Sequence, residues 1–368
     1  MAQSSQILTG RSALPLSPRE PAERSVHWEG IPCPKNIREL STSEFSALEQ
    51  AAYQFGTAPE TYDIACTDGQ FLEAAGRGSF AKVYVDGRHW HIPGGLICPQ
   101  DYHGAMADWL RRAADSHRRT IAVYSVGEWA LKEFRKAGFQ INKLGEEPLL
   151  ELGAIDWRGG AFEWVRRQTH ACTRAGLQVV EIKHPQEQQL LTDELARIQS
   201  DDLQGRVYSE PLKLLEGEFS CQTLNRRRLF IVRQASSGQI EGFLAASPMN
   251  GGQSWAFETY RKRPNAPRGT MAYLFRTVID QLQDEGVQAI SLCLVPGKGV
   301  NNKAMRGDDC RVRWLLGLWY KRLNFLFNTA GQDFFKSRFR PRYEDRFLCV
   351  YPGNSWSVLF PNNGWPAA

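Results

Sequence analysis

The sequence predicts an α/β protein of the α+β kind, made of two similar units in tandem, each a mixed sheet flanked by helices. Three observations carry that expectation. Strand-like apolar runs alternate with stretches of helical period. The order of these elements recurs once along the chain. The 368 residues, 42% hydrophobic and 11% aromatic, are enough for two ordinary cores.

The first 25 residues, MAQSSQILTGRSALPLSPREPAERS, are polar and rich in Pro and Ser, without the apolar stretch of a signal peptide. They predict a flexible arm over 1–35. The first unit is expected over 36–158. In FAKVYVDGRHWHIPGGLI (80–97) two strand-like runs flank Asp86-Gly87, the signature of a hairpin. Residues 104–115 have a helical pattern, TIAVYSV (120–126) is a buried strand, and 127–137 is a helix stopped by Gly138. QINKLGEEPLLELG returns as a strand.

The helix GGAFEWVRRQTHACTRAGL (159–177) links this unit to a second one over 178–368. There LFIVRQASSGQIEGFLAAS (229–247) predicts a hairpin about Ser237-Gly238, followed by the strand WAFETYR and a helix from Thr270 to Glu285. Next come the strand QAISLCLV, a helix at 312–328, a short helix at FFKSRF and the final strand DRFLCVYP. Both units close in the same way, with a helix, a Phe, a few polar residues and an apolar strand. The repeat lies in the order of elements rather than in the letters.

Lys and Arg outnumber Asp and Glu by 45 to 40, a mild bias of +5. Between 300 and 346, eleven basic residues face five acidic ones, so this stretch carries the whole excess and is where a polyanion would bind. The longest apolar run, WLLGLWY at 314–320, falls well short of the roughly 18 residues of a membrane span. A soluble, cytoplasmic chain is expected. Cys33, Cys66, Cys98, Cys172, Cys221, Cys293, Cys310 and Cys349 form no CxxC pair and read as reduced thiols. Nothing in the spacing of His and Cys predicts a metal site or a nucleophilic triad.

Four stretches are candidates for chemistry. In APRGTMAYLFRTVIDQL the apolar residues keep helical spacing, and Pro267-Arg268-Gly269 leads from strand to helix where unpaired backbone N–H groups attract anions. Gly269 could hold an oxyanion there and Arg268 a substrate anion; a turn that simply requires Pro and Gly fits equally well. On the preceding strand, Glu258 and Arg261 could grip an ammonium and a phosphate, or pair as a surface salt bridge. In RVRWLLGLWYKRLNFLFN (311–328) Val312, Leu315, Leu316, Trp319, Tyr320 and Leu323 share one face, while Trp314, Leu318 and Phe325 form a second stripe. Such a helix either packs on both sides or lays an aromatic, basic face on an anionic membrane. The segment FFKSRFRPRYEDR (334–346) sets Lys336, Arg338, Arg340, Arg342 and Arg346 among aromatics, which suits the phosphates and unstacked bases of an RNA end, or makes a solvated face. Arg166, His170 and Arg174 on the linking helix would extend that surface.

KLGEEPLLEL with the WRGGAFEWVRRQTHACTRAGLQVVE helix, ETYRKRPNAPRGTMAYLF, and FFKSRFRPRYEDRFL together resemble the cytosolic catalytic domain of the aminoacyl-phosphatidylglycerol synthases, the multiple peptide resistance factor family, over about 40–355. The resemblance implies tandem GNAT-like acyltransferase units. It implies transfer of an aminoacyl group from charged tRNA to a lipid hydroxyl such as that of phosphatidylglycerol, with no cofactor, at or near the inner face of the cytoplasmic membrane. By position it makes Glu258 and Arg261 catalytic and Lys336, Glu344 and Arg346 substrate-binding; the turn and the basic pattern add Gly269 as catalytic, Arg268 and Arg338 as substrate-binding, and Arg340, Arg342, Arg166 and Arg174 as tRNA-binding. Departures stand at Glu258, Arg338, Tyr343 and Asp345, where the family usually has Asp, Lys, Trp and Pro, and the membrane domain that precedes this part in most members is not seen. The rival readings are a coenzyme A-dependent N-acyltransferase and a non-enzymatic RNA- or membrane-binding module. Ala266 stands where a coenzyme A-binding turn would carry Arg or Gln.

Overall fold

Periodicity becomes structure along most of the chain. The computed structural model describes residues 30–31, 33–65, 69–74, 78–204, 226–302, 305, 307–322, 329–353 and 356–359. The first half comprises β1 (Lys35–Asn36), α1 (Thr42–Phe55), β2 (Gln70–Ala74), β3 (Ser79–Asp86), β4 (His89–Ile92), α2 (His103–His117), β5 (Thr120–Gly127), α3 (Leu131–Lys136) and β6 (Gln140–Glu151). After the linking helix α4 (Glu163–Arg174) come β7 (Leu177–Ile182), α5 (Pro185–Gln204), β8 (Arg228–Gln234), β9 (Ile240–Met249), β10 (Ser254–Lys262) and α6 (Thr270–Asp284). The chain continues through β11 (Ala289–Ser291), β12 (Val295–Pro296), α7 (Cys310–Arg322), α8 (Thr329–Ser337) and β13 (Arg342–Tyr351). Most of the N-terminal arm, Cys66, Cys221 and the 323–328 part of the aromatic helix, with Leu323 and Phe325, lie outside the described residues.

The repeat expected from element order is visible in the strand pairing. In each half antiparallel strands lead to a helix and then to a parallel neighbour: β4 beside β5 after α2, and β10 beside β11 after α6. The strands run β1-β2-β3-β4-β5-β13-β6-β11-β10-β9-β8-β7, with β12 also on β6. The closing strands are exchanged. β6, last of the first half, pairs antiparallel with β11 of the second, while β13, last of the second, pairs antiparallel with β5 of the first; β6 and β13 pair with each other. Two units thus share one continuous sheet, and the seam between them is made of backbone hydrogen bonds.

Helix faces fall where the spacing puts them. Leu274, Phe275, Val278, Ile279 and Leu282 of α6 are buried against β8–β11, together with Phe339 and the linking helix. Met106, Trp109, Leu110 and Ala113 of α2 cover the first half with Phe134 of α3. Val312 and Leu316 of α7 pack on Leu144, Leu348 and Val350, whereas Trp314 stays 63% exposed. One face of that helix is therefore internal and its second stripe begins in solvent. QAISLCLV, expected as one strand, is broken into β11 and β12, because Cys293 between them takes a left-handed φ of 65°. Helices α1 and α5 have no counterpart in the expected elements; a capping box of Ser41 and Glu44 starts α1.

Candidate active site

A bulge in β10 between Phe257 and Thr259 makes Glu258 the extra residue. Its carboxylate, 4% exposed, lies 3.0 Å from Arg227 Nη2 and accepts a short hydrogen bond from Ser247. The same Arg227 nitrogen donates to Asp63 Oδ1 at 3.2 Å, and Asp63 in turn pairs with Lys82. All four charged groups are buried. Two carboxylates balance two cations, the condition under which burying them is tolerable. Asp63 and Lys82 come from the first half, Arg227 and Glu258 from the second, so the chain of charges pins the two together. Burial raises Glu258 above the usual carboxylate range, and Arg227 works against that rise.

A second cluster sits at the exchanged strands. Glu147 on β6 is fully buried and accepts from Arg346 of β13 on one oxygen and from Ser291 of β11 on the other. The Ser291 hydroxyl accepts from the Cys293 N–H at 3.0 Å, and Lys336 of α8 donates to the Cys293 carbonyl at 3.0 Å. Burial pushes the Cys293 thiol well above its ordinary value, so it is a neutral packing group. Glu60, in the 3₁₀ segment Pro59–Ala65, is buried with no hydrogen bond to either carboxylate oxygen. Burial, reinforced by the negative charges of Glu147 and Glu258, pushes it up to about 8.

Above Glu147 a cleft of roughly 290 Å³ opens between the halves, lined by Thr57, Trp129, Asn250, Ser291, Glu344 and Arg346 among others. Arg346 forms part of it while fixed from behind by Glu147. Glu344, a third exposed, reaches it two residues earlier on the same strand, 3.8 Å from Arg346 Nη2. A fixed guanidinium beside a partly exposed carboxylate can receive a substrate carrying both an ammonium and an ester or phosphate oxygen.

The structure thus brings together Glu344 and Arg346 and links Lys336 to Arg346 through Cys293, Ser291 and Glu147. Glu258 belongs to the neighbouring charge chain rather than to a surface salt bridge. Arg261 lies toward the end of β10, 7% exposed, with Nε 3.8 Å from Asp202 of α5. Gly269 caps α6 with φ 96°, and a Cβ there would meet Gln168 Oε1 of α4 at 2.6 Å. Gln168 therefore occupies the space beside this helix start, and Arg268 next to it is exposed. The basic residues are more committed than a solvated patch would be. Arg342 pairs with Glu151 and Glu344, and Arg338 stacks on Phe334 and Trp164. Arg166 donates to the carbonyls of Trp157 and Gly159, and Arg340 to that of Ala161. Arg174 and His170 are exposed. Sequence reasoning passed over Glu60, Asp63, Lys82, Glu147 and Arg227. Only Glu146-Glu147 gave a signal, a pair of acids inside a strand otherwise apolar enough to be buried.

The family described as "Phosphatidylglycerol lysyltransferase, C-terminal" matches residues 54–350, from the last turn of α1 through β13. The chain belongs to this family. Among its curated relatives are a lysylphosphatidylglycerol biosynthesis bifunctional protein of Rhodococcus jostii, 23% identical over 257 residues, or 68% of this chain and 22% of the relative. Another is the phosphatidylglycerol lysyltransferase of Bacillus subtilis, 21% identical over 246 residues, or 66% of this chain and 28% of the relative. The chain spans about a quarter of the length of these relatives. The fold is shared with the crystal structure of the C-terminal domain of a putative lysylphosphatidylglycerol synthetase from Agrobacterium fabrum: TM-score 0.67, 19% identity, 86% of this chain and 95% of that one. The family's fold is thus a mixed sheet flanked by helices, as the sequence led one to expect.

Proposed function

We infer that the chain is an aminoacyltransferase that moves an aminoacyl group from a charged tRNA to the hydroxyl of a lipid, with lysine and phosphatidylglycerol, the substrates in the relatives' names, the first to be tried. The observation that carries the reading is the cleft between the halves, with Arg346 held by Glu147 and Glu344 at its side. An aminoacyl ester brings an ammonium for Glu344 and a carbonyl oxygen for Arg346, whose remaining N–H groups would stabilise the oxyanion. The ester is already activated, so alignment with the acceptor hydroxyl supplies most of the needed acceleration. Glu258 acts as a positioning group in the buried charge chain that joins the halves, Arg261 toward the other end of β10 steadies α5 through Asp202, and Lys336 supports the Cys293 turn. Arg338 and Arg340, with Arg174 and the exposed Arg268, are the residues offered to the RNA. The weak partner is an anionic membrane surface, met by the outward stripe of α7.

The test supplies labelled lysyl-tRNA, then each other charged tRNA, with phosphatidylglycerol vesicles or total lipid, and measures label extracted into organic solvent. Label in the lipid phase that disappears after ribonuclease treatment is the expected result. No lipid label from any charged tRNA, or transfer that needs coenzyme A instead, would overturn the assignment.

A further inference from the structure

The β3–β4 hairpin, remote in role from the cleft, gathers three side chains of metal-ligating type. Asp86 ends β3 and pairs in register with His89 on β4, and His91 lies two residues further along that strand. Alternation places His89 and His91 on one face of the sheet. Ligand-capable atoms of all three lie within 4.8 Å of one another, and the two imidazole rings are 6.0 Å apart at 46°. His91 is fully buried and Asp86 is 5% exposed.

The hydrogen bonds around the two rings show which nitrogens remain. His91 Nδ1 lies 2.8 Å from the Tyr124 hydroxyl, and that hydroxyl donates to the Val358 carbonyl at 3.2 Å. Tyr124 has one proton. The arrangement that satisfies both contacts has Nδ1–H donating to Tyr124, which leaves the lone pair on Nε2, and Nε2 is buried without a hydrogen-bond partner. His89 repeats the pattern: Nε2 is 3.1 Å from the Ser357 hydroxyl, while Nδ1 is buried without a partner. Two imidazoles, each held by a hydroxyl on one nitrogen, thus keep the other nitrogen without a hydrogen bond, on the same hairpin as the Asp86 carboxylate. Oriented by a partner on the far nitrogen, a histidine is set up as a metal ligand.

We propose that Asp86, His89 and His91 bind a divalent first-row transition ion of the zinc type, with water completing the coordination. Two nitrogens and one oxygen are the donor set such ions accept. Bonds of about 2.0 Å in a tetrahedral site bring ligand atoms to roughly 3.3 Å of one another, so binding draws the three together by side-chain rotation. Ser357 and Val358, which brace the two rings, belong to the 3₁₀ turn Trp356–Leu359 near the end of the chain. The ion therefore fastens this turn to the first half, through Ser357 on His89 and through Tyr124 on His91.

The experiment uses the full chain, stripped with a chelator and dialysed, then titrated with Zn²⁺ against a chromophoric competitor and with Co²⁺ as an optical probe. Expected are one equivalent of Zn²⁺, visible Co²⁺ absorption, and a rise in melting temperature on adding Zn²⁺. In His89→Ala, which removes a half-buried ring and leaves the buried His91–Tyr124 pair intact, affinity should fall at least tenfold and the thermal shift should vanish. His91→Gln, melted in parallel, should lose binding as well. Substoichiometric binding, or binding unchanged in a folded His89→Ala variant, would overturn the site.

Discussion

Single residues in the buried centre carry pH dependence whose sign follows from their surroundings. Glu60 is raised from 4.5 to about 8. Between those values the native protein keeps a proton that the unfolded chain has released, so this residue's contribution to stability falls as pH rises through that window. Glu60→Gln, which has no such proton to lose, should therefore gain stability relative to the native chain between pH 5 and 8, by on the order of 4 kcal/mol at the upper end. Thermal unfolding across pH is the measurement, and parallel profiles for the two proteins would show Glu60 to be ionised throughout. Glu258→Gln tests the neighbouring chain of charges. Arg227 would keep only Asp63, which already serves Lys82, and breaking a buried pair from one side costs roughly 3 kcal/mol. A clear fall in melting temperature is expected, and an unchanged one would mean that Ser247 and water replace the lost charge.

Elements were legible where their signal is local. The 3.6-residue spacing of α6, the Asp86-Gly87 and Ser237-Gly238 turns and the apolar run of β5 each stand in the sequence within a dozen residues. Helix α5 was not, since its buried positions, Gln188, Leu195, Ile198 and Leu203, are too sparse to mark a face. The seating of β13 between β5 and β6 could not be read either, because pairing across some two hundred residues leaves no mark in the strand's own letters. The site shares this limit: Glu344 and Arg346 stood out within a motif, whereas Asp63, Lys82 and Arg227 acquire meaning only once the halves meet. The exchange itself makes a prediction. A chain ending at 341 would leave β5 and β6 without the strand between them and would uncover Val123 and Ile141, so neither half should fold. Circular dichroism and limited proteolysis of that fragment check this; a protected second half would show that the units are independent.

The whole molecule is one sheet with its candidate site at the seam, and its outer surface bears the features that would meet RNA and lipid. Among the described residues no helix is long and apolar enough to cross a membrane. Trp314, exposed on α7 near Arg311 and Lys321, should bring the protein weakly to anionic vesicles at low salt, with binding lost as salt rises. Trp314→Ala should reduce sedimentation with vesicles and leave the melting temperature alone; unchanged sedimentation would move the lipid contact elsewhere. The central claim is aminoacyl transfer in the cleft, and Glu344 is the residue to question, since it lines the cleft and is exposed enough to be changed without unfolding the chain. Single-turnover transfer from labelled aminoacyl-tRNA to lipid should slow at least about tenfold in Glu344→Gln, a loss of roughly 1.4 kcal/mol of transition-state stabilisation, with melting temperature held. Transfer at the native rate in that variant would contradict the account.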